Sequence, residues 1–195
     1  MFLSFIRKSK ARKKMPKMSR IPKLKKTNVQ GEVNEIFTQL EKQFGMIPNL
    51  FSTMAKYPIA LKPVLDLYQA IAAESLIDPK LQEIANLEVS RINGCSYCTA
   101  HHSQMGKIAG LSNSQINSLK SGTNDSSFND KEKAVIEYSA AVTKDAENIS
   151  DELYNRVKSF FADSEIVNLT LIIGLMNLFN KFIGALEVEL ESKKS

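Results

Sequence analysis

Residues 81–110 read LQEIANLEVSRINGCSYCTAHHSQMGKIAG, and the way this stretch divides decides the fold. Just ahead of it, Asp78–Pro79 is a helix start, because the carboxylate can accept free amide hydrogens of the first turn and proline's fixed φ suits the first helical position. A helix is expected from there to about Ile92. Asn93–Gly94 supplies a residue able to adopt the left-handed conformation that ends it. A second helix is expected from Cys95 to about Ala109, with Gly110 ending it in turn. The two cysteines therefore sit at a helix start.

Outward from this core the dominant period is helical, and no run of strict alternation is long enough for a strand. Val33, Ile36, Phe37, Leu40 and Phe44 recur at helical spacing up to Gly45. A short helix is expected over Leu50–Ala55 and a longer one over Pro58–Leu76, kinked or broken at Pro63, which has no N–H to donate. Ser112 with Gln115 forms a capping box for a short helix ending near Ser121–Gly122. Further helices are expected at 130–144, at 151–161 with Ser150 as N-cap, and at 164–183. The uncharged run Ile166–Asn180, 15 residues long, is shorter than the ~20 residues a bilayer requires. It is expected as a buried core or interface helix, and no transmembrane segment is expected. The fold class is all-α.

The chain has 195 residues, 24% charged and 43% hydrophobic, with 2 Cys and no Trp. Collagen-like, disulfide-scaffold and wholly disordered classes are excluded. The net charge of +5 is unevenly spread, for 11 Lys or Arg and no acid fall within residues 1–26, leaving 15 basic against 21 acidic residues beyond. A basic tail on an acidic body argues against a nucleic-acid-binding domain. The organisation expected is a basic flexible N-terminal arm over 1–31 and a helical domain over 32–195. In the arm, Phe2, Leu3, Phe5 and Ile6 precede the cationic cluster, the reverse of a secretory signal, so a cytoplasmic location is expected.

The chemistry sits in Cys95–Ser96–Tyr97–Cys98. One helical turn brings residues i and i+3 to one face, so the two sulfurs can close a disulfide with little backbone movement at a helix end. His102 is i+4 from Cys98, and Glu83 on the preceding helix can approach after the Asn93–Gly94 turn. A thiol reacts only as thiolate and needs a helix N-terminus, a cation or a base beside it. A helix N-terminus favours ionisation of Cys95, whereas His102 and Glu83 favour proton removal from Cys98, so these residues alone leave the nucleophile open. The plainer alternatives are a zinc site and a buried structural cysteine pair. His101 and His102 point about 100° apart on one helix, which closes a tetrahedron with the cysteines poorly. No bound metal or cofactor is expected.

The stretch from Leu81 to Gly110 resembles the alkylhydroperoxidase D-like branch of the carboxymuconolactone decarboxylase superfamily, whose motif of Glu, eleven residues, C-x-x-C, three residues and His falls on Glu83, Cys95, Cys98 and His102. Ile47–Pro48–Asn49–Leu50–Phe51 and the apolar C-terminal helix with Asn177 add to the likeness. The resemblance implies a multi-helix bundle with its site at a helix junction, assembled as trimers or hexamers. It also implies that Cys98 is the peroxidatic nucleophile, that Cys95 resolves the sulfenic acid as a disulfide, and that Glu83 and His102 relay the proton through a water. An external thiol reductant, dihydrolipoamide or a thioredoxin-like protein, then attacks Cys95. Tyr97 stands where well-known members carry a histidine, and its pKa of about 10 makes it a poor base at neutral pH.

The function expected is an antioxidant thiol peroxidase acting on alkyl hydroperoxides. The rivals are a thiol–disulfide oxidoreductase with little peroxidase turnover, and a redox-sensing or ligand-binding oligomer. Decarboxylase or lactone chemistry has no residues in its favour here beyond the superfamily likeness.

Overall fold

In the computed structural model, which describes residues 19–123 and 126–191, the chain is built from helices and no strand occurs among the described residues. The helices are α1 (Gly31–Phe44), α2 (Asn49–Met54), α3 (Pro58–Tyr68), α4 (Pro79–Ile92), α5 (Ser96–Ile108), α6 (Asn113–Ser121), α7 (Asp130–Asp145), α8 (Asp151–Lys158) and α9 (Asp163–Leu186). Short 3₁₀ turns lie at Lys26–Asn28 and Ala146–Asn148, and a π-helical turn at Gln69–Ala73 continues α3.

α4 is the centre. It packs against α5, α6, α7 and α9, and Ile84, Ala85, Leu87 and Val89 along it are fully buried. Facing them are Val135 of α7 and Leu169 and Ile173 of α9, which are equally buried. Burial of this kind, worth about 1.5–3 kcal/mol per large side chain, is what holds the short helices in place. The carboxylates of Glu88 and Glu132 taken inside are paired, whereas the Thr53 and Ser139 hydroxyls are buried without a partner among the described residues. Glu88 receives the Arg91 guanidinium through two bonds of 2.6 and 2.9 Å, and Lys80 reaches the buried Glu132 of α7 at 2.6 Å.

The expected starts and stops correspond closely to the observed ones. Asp78 accepts the Lys80 N–H at 2.8 Å, Ser112 and Gln115 form a reciprocal cap, and Ser150 caps α8 at Leu153. Gly45, Gly94, Gly110 and Gly122 take positive φ at helix ends. Gly122 is constrained twice, since an added Cβ would also lie 2.9 Å from Arg91 Nη1.

Three expectations differ from the structure. Helix α3 runs through Pro63, and the departure from α geometry comes six residues later at the π turn. There Asn168 of α9 donates to the Ile71 carbonyl at 3.1 Å and accepts from Ser75 Oγ and the Leu76 N–H at 2.7 and 2.9 Å. A side chain from a distant helix thus satisfies backbone that the π turn loosens, as buried amides demand. Second, α9 outruns the uncharged stretch by three residues at its start and six at its end, and at 24 residues it is long and apolar enough to cross a membrane by length and composition. Half of its most apolar stretch is buried against the rest of the chain, consistent with the core or interface role expected for it. Third, the part of the expected flexible arm that is described is docked. Arg20 N–H bonds the Leu186 carbonyl at 2.9 Å, its guanidinium pairs with Glu187 at 2.9 Å, and Leu24 N–H bonds the Ser52 carbonyl at 3.0 Å. The apolar and basic residues of 1–18 lie outside the described residues.

Leu169 is the test of this core. Leu169→Ala is expected to cost about 2–5 kcal/mol in a chemical denaturation series, through lost burial and the cavity left between α9 and α4.

Candidate active site

The turn at Asn93–Gly94 carries the chain from α4 into α5, with Gly94 at φ 66°. Cys95 is the N-cap of α5, and its sulfur accepts the Cys98 N–H at 3.3 Å. The two sulfurs lie 2.7 Å apart, so a bond between them requires almost no movement. Both thiols are buried. Because α5 runs back along α4, His102 meets Glu83, with Nδ1 2.8 Å from Oε2. All four residues singled out from the sequence, Glu83, Cys95, Cys98 and His102, are therefore gathered at one helix junction. With Nδ1 facing the carboxylate, the proton of a neutral imidazole belongs on Nδ1, which leaves Nε2 as the acceptor.

The two sulfurs differ in charge. The Cys95 thiol is lowered to about 7, first because the Cys98 thiol hydrogen-bonds to it and then because the Cys98 N–H and His102 add to that against the cost of burial. The Cys98 thiol is pushed up, because it is the donor in that S–H···S contact and is buried beside the Cys95 charge. The hydrogen bond from the Cys98 thiol, helped by the Cys98 N–H, thus favours the thiolate on Cys95 over Cys98, one of the two outcomes the residues left open.

His101 points elsewhere. Its Nε2 lies 2.7 Å from Glu191 Oε2, while Glu191 Oε1 accepts the Tyr97 hydroxyl at 2.6 Å and the Asn49 N–H at 2.6 Å. Burial opposes ionisation of Glu191, but bonds from His101, Tyr97 and Asn49 outweigh it and hold the carboxyl down at about 2. Tyr97, within the C-x-x-C, is raised by burial and by its bond to that carboxylate. It is a packing and anchoring residue, with its ring against His101 at 4.7 Å. Sequence reasoning missed Glu191, which sits 93 residues beyond Cys98 with no motif around it. Asn93, beside the turn, donates to Asn177 and Asn180 of α9 at 2.7 and 3.1 Å, which ties the motif to the long helix.

A cavity of about 640 Å³ opens beside the junction. Glu83 and His102 are the members of the constellation on its wall, with Asn86 next to them. The rest is largely apolar, including Tyr68, Ile71, Met176 and Phe179, and the π turn forms part of it. Met105 and Ile108 stand exposed at its edge. Such a wall suits an apolar molecule whose reacting group meets the Glu–His pair.

Residues 58–140 match the carboxymuconolactone decarboxylase family. The chain is 28% identical over 137 residues to the uncharacterized protein YdfG of Bacillus subtilis, spanning 70% of this chain and 92% of that protein. A protein of unknown function from Agrobacterium tumefaciens, suggested for AhpD antioxidant defence, is similar at 28% identity and a TM-score of 0.66, covering 72% of this chain and 97% of that one. The alkylhydroperoxidase AhpD core of a peroxidase-related protein from Ralstonia eutropha shares the fold at 15% identity and a TM-score of 0.82, covering 90% and 93% of the two chains. A variant of the debrominase Bmp8 bound to 2,3,4-tribromopyrrole shares it at 18% and 0.76, covering 88% and 91%.

Two pH dependences follow from these charges. Alkylation of Cys95 in the reduced protein is expected to rise with a midpoint near pH 7, against about 8.5 for a free thiol, and Cys98→Ala is expected to move that midpoint up. The same shift makes ionised Cys95 a stabilising group above the unfolded pKa, with the contribution lost as pH falls through 7. For Glu191 the contribution is complete above its unfolded value of about 4.3 and is lost as pH falls toward 2, so Glu191→Gln is expected to lower stability at pH 7 and to flatten the acid limb of an unfolding curve.

Proposed function

Since the chain belongs to the alkylhydroperoxidase D-like branch of the carboxymuconolactone decarboxylase superfamily, we propose that it is a dithiol peroxidase. In this reading it reduces organic hydroperoxides with the Cys95–Cys98 pair. The observation that carries the proposal is the approach of the two sulfurs to 2.7 Å beside a Glu83–His102 pair that faces an apolar cavity. Cys98 gives its proton to the Glu83–His102 pair and attacks the terminal oxygen of R–O–OH. The O–O bond breaks, the alkoxide takes the proton and leaves as ROH, and Cys98 becomes a sulfenic acid. Cys95 attacks that sulfur as its thiolate, and the hydroxide it displaces takes a proton from solvent and leaves as water as the disulfide forms. A depressed thiol pKa suits this second step, because the resolving sulfur needs no further base. An external dithiol, a lipoyl group or a thioredoxin-like protein, then attacks Cys95 and restores both thiols.

One observation favours a second reading, thiol–disulfide exchange started by Cys95. The resting charge lies on that sulfur, and an attacking thiol works best when its pKa lies near ambient pH.

The two readings part in one experiment, in which reduced protein is mixed with cumene hydroperoxide or with a small disulfide and thiol loss is followed by mass spectrometry. For the peroxidase, wild type loses two hydrogens, Cys98→Ser consumes no peroxide, and Cys95→Ser stops at a trappable sulfenic acid. Glu83→Gln and His102→Gln are expected to slow the peroxide step by about 100-fold, the range of a lost general base. Thiols that ignore peroxide over minutes but react with the disulfide through Cys95 would assign the second reading.

A further inference from the structure

Asn180 of α9 is 3% exposed and stands among apolar side chains, Met176, Phe179 and Ile183, that are buried with it. A primary amide in such a place costs free energy unless its oxygen and its nitrogen both find partners. The two ends of this one are used very differently.

Its orientation is fixed from a backbone group. The Ile173 carbonyl can only accept, so the Asn177 atom 3.0 Å from it is the amide nitrogen. Asn177 therefore turns its oxygen to Asn93, whose Nδ2 donates to it at 2.7 Å, and the same nitrogen reaches the Asn180 oxygen at 3.1 Å. The Asn180 NH2 is left facing the other way, toward the sulfur pair, where it hydrogen-bonds Cys98 Sγ. Its other contacts are weak. Met176 Sδ at 3.3 Å is a poor acceptor, and Ser90 Oγ at 3.5 Å lies at the limit of a bond. Hydrogens held in this way are underused while Cys98 is a neutral thiol, and they bond strongly once that sulfur is charged.

We infer that Asn180 is a further catalytic residue of the dithiol, its amide N–H holding the negative charge on Cys98 Sγ once the proton has left for the Glu83–His102 pair. The inference rests on the reading of Cys98 as the sulfur that attacks peroxide, and it removes a difficulty in that reading. The bond to Cys95 and burial both disfavour an anion on Cys98, whereas the Asn180 amide acts the other way. A donor already in place needs no reorganisation when the charge appears, the principle by which an oxyanion hole works. The amide keeps both its hydrogens throughout, so the proton still passes from Cys98 to the Glu83–His102 pair. Cys98 is then served from two sides, with α4 and α5 taking its proton and α9 supporting its charge.

The test reads Cys98 alone, in full-length Cys95→Ser protein, as the rate of iodoacetamide alkylation against pH. Adding Asn180→Leu, which is close in volume but has no donor, is expected to raise the midpoint by about one to two pH units, the shift carried by a lost hydrogen bond to a charged group. Asn180→Ala removes the same donor without asking for space and gives the same reading should leucine disturb the packing, with far-UV circular dichroism as the check on folding. Asn93→Ala breaks the tether between α9 and the turn but leaves an amide beside the sulfur, and it is expected to move the midpoint less than half as far. With both cysteines present, Asn180→Leu is expected to consume cumene hydroperoxide about 10- to 100-fold more slowly at pH 7, the same shift read as a rate. Unmoved midpoints in Asn180→Leu and Asn180→Ala overturn the inference, as does an equal shift in Asn93→Ala, which would make Asn180 a tether alone. Wild type that ignores peroxide fails the peroxidase reading instead, and the alkylation midpoints still decide whether Asn180 supports the charge on Cys98.

Discussion

The left-handed backbone at Gly94 is the constraint on which the site depends. It ends α4 and allows Cys95 to stand as the N-cap of α5, where its sulfur takes the place of the usual side-chain oxygen and accepts the Cys98 N–H. The same reversal of direction lays α5 back along α4, and only then does a residue twelve positions before Cys95 face one four positions after Cys98. Redox pair and proton pair are two consequences of one turn. Asn93 fastens that turn to α9 through Asn177 and Asn180, so the longest helix of the chain holds the motif from below.

The two neighbouring histidines show how helix geometry sorts similar residues into different tasks. A step of one residue rotates a side chain by about 100°. His102 turns to Glu83 and the apolar cavity, whereas His101 turns to Glu191 on the C-terminal segment. Glu191 gathers the Tyr97 hydroxyl, the Asn49 N–H and His101 around one carboxylate. Arg20 holds Glu187 and the Leu186 carbonyl only a few residues earlier. Segments from both ends of the described chain thereby brace the residue between the two cysteines, on the side away from the Glu83–His102 pair. The electrostatic asymmetry within the sulfur pair has an equally local origin. Cys95 receives two hydrogens, one from a thiol and one from a backbone amide, while Cys98 supplies the first of them.

Much of this was determined by the sequence alone. Helix ends at Asp78–Pro79, Asn93–Gly94, Gly110 and Ser112 are local events, decided by which backbone conformations and caps a few adjacent residues allow, and so they could be read without the fold. Glu83, Cys95, Cys98 and His102 were legible for the same reason, since all four lie within twenty residues on two helices joined by one turn. Tertiary structure decided what depends on distant partners. The π turn after α3 exists where Asn168, nearly a hundred residues away, can satisfy its backbone. Glu191 belongs to the site only because the C-terminal segment returns to α5. Which sulfur bears the charge follows from a proton shared across 2.7 Å. Local chemistry specifies caps and turns, but burial and long-range pairing are properties of the packed chain.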